Sequence, residues 1–385
     1  MSKLVQALNS ARVRGWLYQA LFLSATVALG WYLVSNTLTN LGTRGVATGF
    51  GFLEREAGFE IGESLIAYAA SDTYLKALVA GLLNTLTVSA AAVVLASILG
   101  VAIGVARLSS NWMVGRFAAV FVETVRNVPL LLQLVVWYTI MNRLPSPREA
   151  LEVLPHIFLS NRGLKFPVFV EHPGHGWAFL ALILGIAAAF AVVRYGRRHR
   201  ETTGKPFPTL PVALAAVVLP PVAVFLVSGA PFAFDVPVLT GFNFEGGASV
   251  SPEFTALLIG LSVYTAGFIA EIVRSGILAV PHGQTEAGLA LGLSPAHILR
   301  LVILPQALRV IVPPLTSQYL NLTKNSSLAV AIGYPDLVSV TNTSANQTGQ
   351  VVEAVAMMML VYLVISLLIA GFMNWYNQKL ALVTR

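Results

Sequence analysis

Apolar residues in this chain come in long runs, not in the alternation of half-buried strands. Eight windows reach roughly the twenty residues needed to cross a ~30 Å hydrocarbon layer, at about 17–36, 77–105, 117–141, 177–193, 209–228, 255–279, 306–332 and 353–374. Polar stretches rich in Gly and Pro separate them. The pattern predicts an all-α fold, a polytopic transmembrane helical bundle of about eight spans. Lys3, Arg12 and Arg14 precede the first run as in a signal peptide. That run is too long for one and ends at Asn36-Thr37 with no small-residue cleavage pattern, so it is expected to be a retained anchor.

Composition sharpens this picture. The 385 residues are 56% hydrophobic and only 11% charged, with a mean hydropathy of +0.75, which excludes a cytosolic enzyme. There is no cysteine, hence no disulfide, thiolate metal site or cysteine nucleophile. The net charge of +7 resolves into an asymmetry of loops. With the N-terminus inside, fifteen Lys and Arg residues fall in inner segments and seven in outer ones, while Glu54, Glu56, Glu60, Glu63, Asp72, Asp235, Glu245 and Glu253 lie outside. The bias places both termini in the cytoplasm and removes any need for nucleic acid as a partner.

Between the spans, 194–208 reads as a short basic loop that anchors against anionic headgroups. Residues 142–176 and 229–254 read as irregular outer loops holding His156, His172 and His175, whose spacing matches no tight metal-ligand motif. No Gly-rich phosphate loop ending in Lys is present, so the chain does not hydrolyse ATP by itself. Pro129, Pro220-Pro221 and Pro313-Pro314 interrupt the third, fifth and seventh spans and predict kinks there.

After the sixth span, Gly283 and Gly292 bracket an eight-residue helix, 284–291. Gly292 is a stop that can take positive φ, and Ser294-Pro295 is an N-cap followed by the favoured first helical residue of a second helix running toward Leu304-Pro305. Small Ala287, Gly288 and Ala290 between Leu289 and Leu291 make a knuckle suited to another protein's groove.

The run Glu286-Ala287-Gly288, three residues, Gly292-Leu293, then Val302-Ile303-Leu304-Pro305 resembles the EAA loop by which ABC importer permeases grip their ATPase. Gly288 stands where alanine is usual and Val302 where isoleucine is usual. Asn84-Thr85-Leu86, 123–131, 264–277 and Lys324-Asn325-Ser326-Ser327-Leu328-Ala329 resemble the polar amino acid branch of that family, the histidine/glutamine/arginine type. The likeness covers about 77–141 and 255–375. With the extra N-terminal span and the long insert, the chain is similar to the larger permease of general L-amino acid importers. The resemblance implies a type I importer core of five spans plus one N-terminal and two inserted spans. Its divisions are an anchor at 1–76, core parts at 77–141 and 255–375 with the coupling loop at 283–305, an insert at 142–254 and a tail at 376–385. It further implies an ATPase dimer that binds the ATP and Mg, a second EAA-type permease, an extracytoplasmic binding protein and an L-amino acid substrate in a bacterial inner membrane, with no cofactor on this chain. Glu286, Ala287, Gly288, Gly292, Leu293, Leu304 and Pro305 are the expected ATPase contacts.

Two spans repeat one charged device, Glu123 with Arg126 and Glu271 with Arg274, each i, i+3 on one helix face. Opposite span directions put both in the cytoplasmic third of the bilayer. Charge at that depth faces protein or a water-filled path, not lipid. Each pair is either a fixed salt bridge or a border of the route of a zwitterion. Asn127, Lys324 and Asn325 join them as candidates for path or gate, because so dense a polar run cannot face lipid. Asn84 and Thr85 read as hydrogen-bonding glue, and Asp336 as a helix cap. The rival class is an ion-coupled secondary transporter using Glu123 or Glu271.

Overall fold

The computed structural model describes residues 11–43, 48–170, 172–229 and 233–380. Lys3, Arg44, Arg385 and the tail beyond 380 lie outside these. The chain divides into two compact units, Met1–Thr139 with Ala256–Arg385, and Ile140–Thr255. Seven of the described helices are long and apolar enough to cross a membrane.

In the first unit, α1 (Ala11–Thr43) is exposed along its candidate span. The segment from Gly49 leads through a 3-10 turn into a small apolar cluster of Phe52, Ala57, Tyr74, Ala77 and Val340. The Phe52 and Tyr74 rings meet edge-on at 5.8 Å. Thr73 then caps α2 (Tyr74–Ala106) by accepting the Lys76 amide. The third apolar run, expected as one span with a kink, is two helices, α3 (Trp112–Asn127) and α4 (Leu130–Asn142), bent by 105°. Pro129 is the cause, since it has no amide to continue the ladder. The Gln133 amide nitrogen donates to the carbonyls of Val125 (2.9 Å) and Val128 (3.0 Å). α3, with 16 residues, rises about 24 Å, less than the hydrocarbon thickness.

The second unit contradicts the expectation of irregular outer loops. Strands β1 (Leu151–Leu154), β2 (Ile157–Ser160) and β3 (Gly163–Phe166) form antiparallel pairs, followed by β4 (Val168–Phe169). After the two long helices come β5 (Phe234–Asp235), β6 (Val238–Thr240), β7 (Asn243–Glu245) and β8 (Ala248–Val250). One sheet has the order β1-β2-β3-β8, while β4 pairs with β5 and β6 with β7. Phe158 stacks on Phe244 at 4.6 Å. The helices between are α5 (Pro173–Thr203) and α6 (Thr209–Val227), packed as a hairpin. The basic stretch expected as a loop is therefore helical as far as Thr203, and Gly204 ends α5 with φ +67. Among the described residues α5 buries only Gly174, Gly185 and Gly196, and α6 buries none. These glycines fall every eleven residues, a spacing that keeps one face of a helix in register. A methyl at Gly185 would overlap the Ala216 carbonyl. His172 and His175 serve packing: His172 Nδ1 accepts the Gly174 amide and His175 stacks on Phe225 at 5.6 Å.

The chain returns to the first unit with α7 (Pro252–Leu278), whose span window is 61% buried. Its Ile269, Ala270 and Val273 lie against Gly100 and Gly104 of α2, where no Cβ holds the helices apart. There follow α8 (His282–Ala290) and α9 (Pro295–Ile298). A π-helical turn, Leu299–Ile303, leads into α10 (Leu304–Asn325), so the helix runs through Leu304-Pro305 into the seventh apolar run. The wider turn absorbs the amide that Pro305 lacks. A 3-10 segment (Ser326–Ile332) precedes α11 (Leu337–Thr348) and α12 (Val351–Leu380).

A buried polar pair ties this end of the unit together. Asn84 Nδ2 donates to the carbonyls of Glu63 (2.7 Å) and Pro335 (2.9 Å). Thr85 Oγ1 accepts the Leu337 amide at 3.0 Å and donates to the Gly81 carbonyl. Asp336 caps α11 through the Ser339 amide at 2.8 Å, as expected. It lies between the spans and is fully buried, and burial pushes its carboxyl up to about 7.

Candidate functional site

The glycine joint closes as a Schellman turn. Gly292 has φ +75. Its amide donates to Leu289 O (2.9 Å), while the Leu293 amide reaches Gly288 O (3.1 Å), which satisfies the last carbonyls of α8. The Ser294 hydroxyl accepts the His297 amide and opens α9. Gly288 is buried beneath Ile298, itself 1% exposed. A Cβ at 288 would stand 2.8 Å from Ile298 Cγ1, so a bare backbone lets the two short helices close on each other. The outer side is open: Leu289 is 55% and Leu291 80% exposed. Ala287 and Glu286 are exposed too, with His282 Nδ1 3.1 Å from the Glu286 carboxylate. Leu293 is half-buried, and Leu304 and Pro305 are exposed where the helix continues. The result is a rigid elbow whose unpartnered side carries apolar and acidic groups.

The intramembrane charges separate into unlike sites. Glu271 is held by two arginines. Arg274 Nη2 lies 2.6 Å from its Oε1, and Arg107, just past the end of α2, donates to Oε2. Arg107 lies just past the second apolar run, and its partner is 164 residues away. Glu123 and Arg126 do not form a salt bridge, one of the two readings open for the pair, and among the described residues no ion pair involves either. Arg126 instead places its guanidinium 5.1 Å from the Phe268 ring centroid, a cation–π contact. Glu123, Arg126 and Asn127 are exposed on α3. Lys324 is exposed and Asn325 half-buried where α10 gives way to the 3-10 segment. The structure thus gathers Arg107, Glu271 and Arg274 and leaves the other polar candidates on surfaces of this chain.

Residues 208–382 match the family described as binding-protein-dependent transport system inner membrane component. Over nearly its whole length the chain is similar to the general L-amino acid transport system permease protein AapQ of Rhizobium johnstonii, with 48% identity across 98% of this chain and 95% of that one. It is also similar to the glutamate/glutamine/aspartate/asparagine transport system permease protein BztB of Rhodobacter capsulatus, with 41% identity across 95% of this chain and 92% of that one. The chain belongs to the amino-acid ABC transporter permeases, multi-pass proteins of the inner membrane.

Proposed function

We propose that this chain is the larger membrane-spanning subunit of an importer that moves L-amino acids delivered by an extracytoplasmic binding protein. ATP and Mg are bound by a separate ATPase dimer, which the chain grips through 283–305, and a second EAA-type permease completes the path. Both termini are cytoplasmic, and α3 with α4 counts as one crossing. The observation that carries this reading is the closed elbow with Leu289, Leu291 and Glu286 turned outward. Each leucine buried in a partner's groove contributes about 1.5–3 kcal/mol, while the Schellman joint and the Gly288–Ile298 contact keep the knuckle stiff enough to transmit a push. Exposed Lys324, Asn127 and Arg126 are the candidates for the polar path or gate toward the second permease. The ion-coupled alternative loses one of its carboxylates, since Glu271 is engaged by two arginines.

The test is Glu286→Lys, with deletion of 285–291 as the stronger form, in the assembled transporter. The permease is expected to insert normally yet lose ATPase association and ATP-dependent uptake. Intact association and uptake in both variants would end the proposal. Uptake into vesicles with collapsed ion gradients, with and without luminal ATP, separates the two classes.

A further inference from the structure

The free end of the α5–α6 hairpin is more than a basic anchor. Between the two helices lies a cleft of about 420 Å³ lined by Val193, Gly196, Arg197, Arg200, Glu201 and Thr209. The hairpin buries little beyond its glycine seam, so the rest of the chain leaves both apolar helices open to lipid. The apolar part of α5 ends at Val193, and the charges start at Arg194, so the cleft opens at the level where hydrocarbon meets headgroups. Bare Gly196 is what brings Thr209 close on its far side. The turn is braced by rings: Phe207 meets Tyr195 at 5.4 Å and His199 at 5.9 Å.

Arg197 and Arg200, at i, i+3, share this cleft, and among the described residues neither has a carboxylate within ion-pair distance. Glu201, on the same wall, is the one acidic residue among Arg194, Arg197, Arg198, Arg200 and Lys205. Two guanidinium forks suit a phosphodiester. A carboxylate beside them would repel a second anion but accept a hydroxyl. We infer that the cleft is a binding site for an anionic glycerophospholipid with a free headgroup hydroxyl, its phosphate held by Arg197 and Arg200 and its hydroxyl by Glu201. Val193 lies where the acyl chains begin. This places the lipid in the leaflet that the cationic bias assigns to the cytoplasm, and basic pockets between helices on that side suit such headgroups.

The experiment uses the assembled transporter, with lipid retention read by native mass spectrometry. Short-chain phosphatidylglycerol, short-chain phosphatidylcholine and inorganic phosphate are the probes. The wild type is expected to retain phosphatidylglycerol in preference to phosphatidylcholine. Arg197→Gln with Arg200→Gln is expected to lower retention roughly tenfold or more, against less than about twofold for Arg194→Gln with Arg198→Gln, which do not line the cleft. If the first pair impairs assembly, Arg197→Lys with Arg200→Lys keeps the charge and loses the forks, and weaker retention is still expected. Equal losses from both glutamine pairs would show a diffuse basic belt and overturn the site. Displacement of the lipid by millimolar inorganic phosphate would overturn the lipid as its occupant.

Discussion

Thr85 offers a test that separates hydrogen bonding from packing at one buried atom. Its side chain is inaccessible, and its hydroxyl accepts the Leu337 amide, one of the N–H groups that the first turn of α11 cannot satisfy internally. Thr85→Val keeps the shape and the branched carbon but strands that amide, at a cost of about 1–3 kcal/mol. Thr85→Ser keeps both hydrogen bonds and removes one methyl, at a cost of about 1 kcal/mol. Valine is therefore expected to be the worse substitution, its ~1–3 kcal/mol corresponding to a roughly 5–160-fold loss in the folded-to-unfolded ratio. Reversible denaturant unfolding of the purified transporter in detergent measures both. Hydrogen exchange adds a site-specific readout, because only valine should speed exchange of the Leu337 amide. If serine proved as damaging as valine, or exchange at Leu337 were unchanged, packing and not the hydroxyl would be what holds α11 on α2.

Glu271→Gln should cost about 1–3 kcal/mol in the same assay, and a double-mutant cycle with Arg107→Gln should show coupling of ~1 kcal/mol or more; additive effects would disprove the bridge from α2 to α7. Gly185→Leu should force the α5–α6 seam apart and raise tryptic cleavage at Arg197, Arg198 and Arg200, while Gly176→Leu, whose Cβ meets nothing within 4 Å, should leave cleavage unchanged. Burial holds Asp336 at about 7 in the folded state, against about 3.9 for an unburied aspartate. The folded state therefore holds more protons between these values, so this group's contribution should fall as pH rises from about 4 to about 7 and level off above. Asp336→Asn keeps a capping oxygen and should flatten that slope; an unchanged pH profile would count against the buried carboxyl.

What could be read in advance follows the range of the forces involved. The apolar runs announced the helices because a span needs only its own residues to satisfy its backbone. The elbow at Gly292 was equally legible, since a glycine stop, a serine cap and a following proline act within a few positions. Pro129 signalled a break, but not its 105° angle, which depends on how α3 and α4 pack on α7. Arg107, the second arginine of the Glu271 cluster, had no local signal. The short strands were hidden by Pro and Gly density, although Ile157–Ser160 and Gly163–Phe166 flank a two-residue turn that marks a hairpin. The eleven-residue glycine spacing of α5 was in plain view; a search for helical small-residue faces would have predicted its seam with α6.

The Asn84–Thr85 pair sets a timetable for biogenesis. Thr85 and its amide partner are 252 residues apart, so at bacterial synthesis rates of about 5–20 residues per second α2 waits roughly 13–50 s before Leu337 emerges from the ribosome. Through that interval two polar side chains occupy a helix destined for the bilayer without their Pro335 and Leu337 partners. Membrane insertion machinery, or the earlier loop carbonyl of Glu63 for the asparagine, has to shelter them, and slowing synthesis across the insert would lengthen the wait and favour loss of the nascent chain to proteolysis.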